Sequence, residues 1–121
     1  MLIVANWKAY VEELPKAKKL FAASKRLARA TDITIVLAPP APFLGALAAN
    51  NKSKVSFSAQ DVSVTTGGAK TGEATAQIYV AAGATYAIIG HSERRALGET
   101  NAVIAEKLAH RRYQGRLWIE T

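Results

Sequence analysis

Two short stretches hold the side chains best suited to chemistry. The first is Asn6-Trp7-Lys8, directly after the apolar run 2–5. In parallel α/β proteins chemistry gathers where strands end and loops begin, so a Lys8 ammonium there could face an anionic substrate. A single loop lysine is equally at home on a plain solvated surface. The second stretch is Gly90-His91-Ser92-Glu93-Arg94-Arg95, directly after the apolar run Tyr86–Ile89. It places a histidine between a buried run and residues able to start a helix. The positive end of a helix dipole works against a second positive charge at that point. A neutral imidazole held there can donate a hydrogen bond to a developing oxyanion, although the same histidine could simply cap a loop.

The elements that must position these residues form a series of βα units. Five runs are continuous, aliphatic and bounded by turn residues, as buried strands are. They are Leu2–Ala5, Ile33–Ala38, Val55–Ala59, Tyr86–Ile89 and Leu117–Ile119, starting 31, 22, 31 and 31 residues apart. Runs apolar on both faces suit a parallel sheet covered by helices, and the near-period suits a repeated βα unit rather than hairpins. Between them, Pro15–Ala30 reads as a helix opened by proline, with Leu20, Phe21, Ser24, Leu27 and Ala28 on its apolar face. Shorter helices are expected over Phe43–Ala49 and over Thr75–Ala82, the latter closed by Gly83 as a left-handed cap. Asn101–Tyr113 is the last, with Thr100 or Asn101 as its N-cap. Gln60 to Gly72, with Thr65-Thr66-Gly67-Gly68 at its tip, is a long loop of the kind that is usually functional or interfacial. The order βαβαβαβαβ leaves two architectures open: a doubly wound sheet, or half of a (β/α)8 barrel, which needs roughly 250 residues when complete.

Composition narrows the class. A chain of 121 residues, half of them hydrophobic but only 7% aromatic, builds an aliphatic, alanine-rich core in a single domain spanning 1–121. With no cysteine, disulfides and thiolate metal sites are excluded. The opening Met1–Ala5 is too short for a signal-peptide core, and no stretch reaches the roughly 18 residues of a bilayer span, so a cytoplasmic protein without membrane contact is expected. The net charge of +7 is spread over Lys16, Lys18, Lys19, Lys25, Arg26, Arg29, Arg94, Arg95, Arg111, Arg112 and Arg116, without interleaved aromatics. That reads as solvated helix faces rather than a nucleic-acid surface.

Taken together, Asn6-Trp7-Lys8 and Gly90–Arg95, with Ser58-Ala59-Gln60-Asp61-Val62-Ser63 and Thr71-Gly72-Glu73 between them, resemble triosephosphate isomerase, in order and from Leu2 to about Leu108. The resemblance implies the N-terminal half of a TIM barrel and, as catalytic residues, His91, Lys8 and Glu93. His91 resembles the electrophile that polarises the substrate carbonyl; this family is the standard example of a neutral histidine beside a helix N-terminus. Lys8 resembles the lysine that neutralises phosphate and enediolate charge. Asn6 and Ser92 resemble its neighbours in substrate binding, and Glu93 the carboxylate near the lysine. Ser92 as a cap and Glu93 in a structural ion pair are the plainer alternatives. Gln60, Thr71, Gly72 and Glu73 resemble the loop that enters a second subunit, where Thr71 would brace the partner's site. The implied substrate is a triose phosphate, with no metal and no organic cofactor.

Departures from the family are also legible. Its general base is a glutamate after a sixth strand, and its lid and phosphate loops come later still; none has a counterpart among these 121 residues. A chain of these residues alone is therefore expected to be inactive or nearly so until a C-terminal half completes it. Ala96-Leu97-Gly98-Glu99 is shorter than the family pattern, and the tail 111–121 matches only loosely. Open edges and an apolar inner face predict association with itself or with a C-terminal half-barrel chain. The alternative is a non-catalytic, self-associating half-barrel module.

Overall fold

In the computed structural model the residues described are 1–109 and the backbone of 119–120. The elements run β1 (Leu2–Asn6), α1 (Leu14–Ala30), β2 (Thr34–Ala38), α2 (Ala41–Ala48), β3 (Ser56–Ala59), α3 (Ala76–Ala81), β4 (Tyr86–Ile89), α4 (Ser92–Ala96), α5 (Asn101–Ala109) and β5 (Ile119–Glu120). The first four strands fall within a residue of where continuous apolar runs place them. Of the expected fifth strand, Leu117 and Trp118 lie outside the described residues, as do the end of the last helix, 110–113, and most of the divergent tail.

All pairings are parallel, and strand order follows chain order, β1-β2-β3-β4-β5. That order decides between the two architectures. A doubly wound sheet reverses direction at a switch point; this one never does. Right-handed crossovers that always step the same way put every helix on one face and let the sheet curl about the other. The result is half of a TIM barrel.

Side-chain parity agrees. Ile35, Leu37, Val55 and Phe57 pack under α1 and α2 with Ala17, Phe21, Leu44 and Leu47. Ala59, Ala87 and Ile89 pack under α3 and α5 with Ala76 and Ile104. Phe21 meets Phe57 edge-on, ring centres 5.1 Å apart. The alternate residues, Val36, Ala38, Ser58 and Ile88, face inward yet are buried. Among the described residues the expectation of an exposed inner face therefore holds only at β1, where Leu2 is 49% exposed; Ile3, in register with outward-facing Ile35, is 40% exposed on the helix side of the same open edge. Curvature explains the difference: a concave face crowds its central side chains together and leaves its margin open. On α1 the buried stripe is Ala17, Phe21 and Ala28, while Leu20 and Leu27, expected on the apolar face, lie exposed beside it.

Local chemistry sets the helix ends. Pro42 in its first turn lets α2 begin at Ala41, two residues before the expected start. Thr75 Oγ1 accepts from Ile78 N–H at the head of α3. At the other end, Ala84 N–H reaches Tyr79 C=O and Gly83 N–H reaches Val80 C=O, with Gly83 at φ 103°. Thr100, rather than Asn101, caps α5, accepting from Val103 N–H.

Candidate active site

The two motifs sit after the C-terminal ends of β1 and β4, three strands apart in the sheet. In a flat sheet three strand spacings come to roughly 14 Å. Here Lys8 Nζ and Glu93 Oε1 are 2.6 Å apart, because the curl turns both strand ends toward one centre.

Lys8 is held by its backbone. It has a left-handed conformation, φ 51°, which non-glycine residues adopt only when their surroundings compensate. Three contacts do so. Lys8 N–H donates to Asn6 Oδ1 at 2.9 Å, and Gln60 Nε2 donates to both Lys8 C=O and Ala38 C=O at 2.9 Å. Trp7 N–H continues the ladder to Ala38 C=O at 3.0 Å. Asn6 and Gln60 thus aim the lysine, and the Gln60 amide is committed within its own chain.

His91 caps α4. Its Nδ1 accepts the Glu93 N–H at 3.1 Å, with backbone φ −53° and ψ 140°. A ring nitrogen that accepts an N–H carries no proton of its own, so in the neutral ring the proton is on Nε2. His91 therefore presents an N–H donor on the side away from α4. Because α4 is only five residues long, this direct hydrogen bond, rather than a large helix dipole, sets the arrangement. Glu93 Oε2 lies 3.7 Å from Nδ1, beyond hydrogen-bond range. Ser92 is exposed in the first turn of α4 and does not cap it.

The hydrogen bond from Lys8, and then its charge, hold the Glu93 carboxyl below the usual glutamate value. The same bond and charge raise the Lys8 ammonium above the usual lysine value. Both groups are open to water, so the pair orients more than it stabilises.

Beneath this surface lies a cluster that motif reading missed. Lys107 on α5 contacts Asp61 at 2.6 Å and also contacts Glu99; Asp61 in turn takes Arg94 at 3.1 Å. The Lys107 side chain is 4% exposed and that of Glu99 5%. Arg95 donates from Nε to Gly90 C=O and from Nη1 to Asn101 Oδ1. Arg94 and Arg95 thereby lock α4, which carries His91 and Glu93, to β4, to α5 and to the loop after β3. The available signal was Lys107 standing among Ile104 and Leu108 on the apolar face of α5.

Thr71, Gly72 and Glu73 lie on the loop after β3, where Gly72 and Glu73 line a cavity shared with Asp61, Arg94 and Lys107. Ser63 pins its base through Ala74 C=O and the Glu73 carboxylate. Residues 66–73 are all exposed, and a Cβ added at Gly67, Gly68 or Gly72 would meet nothing within 4 Å. The loop tip stands clear of its own chain.

A parallel (β/α) half-barrel here brings a lysine and a capping histidine together at the C-terminal ends of its strands, the face on which barrel enzymes carry their sites. The profile of the triosephosphate isomerase family matches residues 1–119, and the chain belongs to that family. It is 46% identical to triosephosphate isomerase of Alcanivorax borkumensis over 82 residues, which is 67% of this chain and 33% of that one. It is 37% identical to the cytosolic triosephosphate isomerase of Stellaria longipes over 112 residues, or 91% and 44% of the two chains. For the Thermus thermophilus enzyme the identity is 39% over 109 residues, or 88% and 43%. The chain spans less than half the length of these curated relatives.

Proposed function

We propose that these residues form the electrophile half of a triosephosphate isomerase site, which interconverts dihydroxyacetone phosphate and glyceraldehyde 3-phosphate once a C-terminal half supplies the base. The observation that carries this reading is the meeting of Lys8, Glu93 and His91 across three strand spacings, with His91 Nδ1 taken up by the Glu93 N–H so that Nε2 is left to hold the proton of the neutral ring. In the reaction, Nε2–H donates to the substrate carbonyl oxygen as a proton leaves the neighbouring carbon, and it stabilises the enediolate that forms. Lys8 supplies fixed positive charge to the phosphate and the enediolate, exchanging Glu93 for substrate as its partner. Asn6 and Gln60 hold the lysine in place, and Ser92 lines the substrate side. The base is a carboxylate from a C-terminal half-barrel, on the same polypeptide or on another, and no metal or organic cofactor enters. Thr71, Gly72 and Glu73 form the contact to a second copy, in the cytoplasm. Among the described residues no helix is long and apolar enough to cross a membrane.

The test is isomerase turnover of residues 1–121 alone and after addition of a C-terminal half. The expected result is negligible turnover alone and recovery on mixing. Robust turnover by residues 1–121 alone would overturn the assignment of the base. A second reading, a self-associating half-barrel without catalysis, rests on the exposed Leu2 and Ile3 at the margin of β1 and on the projecting loop. It predicts a closed homo-oligomer that ignores the C-terminal half.

A further inference from the structure

A second cationic site lies at the opposite end of the sheet. The last turns of α1 lead into β2, and residues 49–55 lead into β3, so both are at the N-terminal ends of the strands. Between them is a cavity of about 750 Å³, within the size range of small-molecule sites. Lys25, Arg26, Arg29, Lys52 and Lys54 line it, and no carboxylate does. Among the described residues none of these five has an ion-pair partner, unlike Lys8, Arg94 and Lys107.

The walls are fixed in place. Asn51 Nδ2 donates to Val55 C=O at 2.8 Å, and its Oδ1 accepts from Ser53 N–H and Oγ–H at 3.0 and 2.7 Å. These bonds fold 51–55 into a turn that carries Lys52 and Lys54. On the facing wall the Lys25 ammonium rests 4.7 Å from the centre of the Phe21 ring. Five like charges brought to one concavity repel one another, and a bound anion relieves that repulsion. No exposed aromatic lines the cavity for stacking bases, which separates it from a single-strand groove.

We propose that this cavity binds a small polyanion, a molecule bearing two or more phosphoryl groups. The site is separate from Lys8 and His91, so its occupancy does not depend on the isomerase reading. The test is a titration of the isotope-labelled protein, in the assembly it forms, with inorganic tripolyphosphate, followed by backbone amide NMR. The expected result is saturable 1:1 binding, with shifts at 25–29 and 49–54. The exposed double variant Lys52→Gln/Lys54→Gln should weaken it at least about tenfold, because two charge-assisted contacts are lost. Arg29→Gln should weaken it several-fold as an independent check, and Lys18→Gln/Lys19→Gln on the same helix should change it less than about twofold. Equal loss in both double variants, or shifts spread over all basic faces, would show a diffuse cationic surface and overturn the proposal. Shifts centred on 6–8 and 90–93 would do the same by placing the anion in the isomerase site. Saturable binding of single-stranded RNA but not of tripolyphosphate would replace it with a nucleic-acid surface.

Discussion

Two lysines in this chain make ion pairs of the same length in opposite surroundings. Lys8 meets Glu93 at 2.6 Å with the two side chains 37% and 59% exposed. Lys107 meets Asp61 at 2.6 Å with side chains 4% and 25% exposed, and it touches Glu99 as well. Distance alone would rank them equal. Burial separates them: water screens the first pair, so either partner can leave it for a substrate, whereas loss of a partner in the second strands charge away from water. The first pair can exchange partners and the second cannot, as the proposed site and its support respectively require.

The largest effect expected from breaking this contrast is Lys107→Ala. It leaves Asp61 and Glu99 without their buried cation and should cost about 3–5 kcal/mol in denaturant unfolding. A cost below about 1 kcal/mol would mean that the cluster behaves as a surface pair, and the contrast would fail. Gly83→Ala gives a purely steric yardstick. Its added Cβ would stand 2.6 Å from Ala48 Cβ at φ 103°, so a loss of about 1–3 kcal/mol is expected by the same measurement. Thr75→Ala removes the α3 cap and should cost about 1 kcal/mol. Smallest is Glu93→Gln, which should leave the unfolding midpoint where it is.

The pH dependence of the exposed pair has a fixed sign. Glu93 is lowered, so its contribution is present above the usual glutamate value of 4.5 and fades as pH falls through its lowered pKa. Lys8 is raised, so its contribution is present below the usual lysine value of 10.5 and fades as pH rises through its raised pKa. NMR titration of the Glu93 carboxyl should therefore show a midpoint below 4.5 that moves up in Lys8→Met.

Much of the frame was legible in the sequence because both-face burial writes itself as unbroken apolar runs; β1 to β4 followed from that. Lys8 and His91 were legible because each follows such a run. Strand order was not legible in the periodicity, since a period says that units repeat but not which way each crossover steps; the half barrel followed from the family resemblance of the motifs. The Lys107 cluster was not legible because Asp61, Glu99 and Lys107 come from a loop, a turn and a helix that meet only after folding. Gln60 was grouped with the projecting loop, although its amide braces Lys8, for the same reason. The start of α4 after His91 was legible, but its extent was not, because five residues are too few to show a period.

The most direct test of the central claim is kcat for His91→Ala against the unsubstituted chain, each completed by the same C-terminal half. With His91 as the electrophile, kcat should fall about 10²–10⁴-fold, while loss of the α4 cap lowers unfolding stability by only about 1 kcal/mol. Unchanged turnover in the substituted chain would contradict the assignment and leave His91 as no more than the cap of α4.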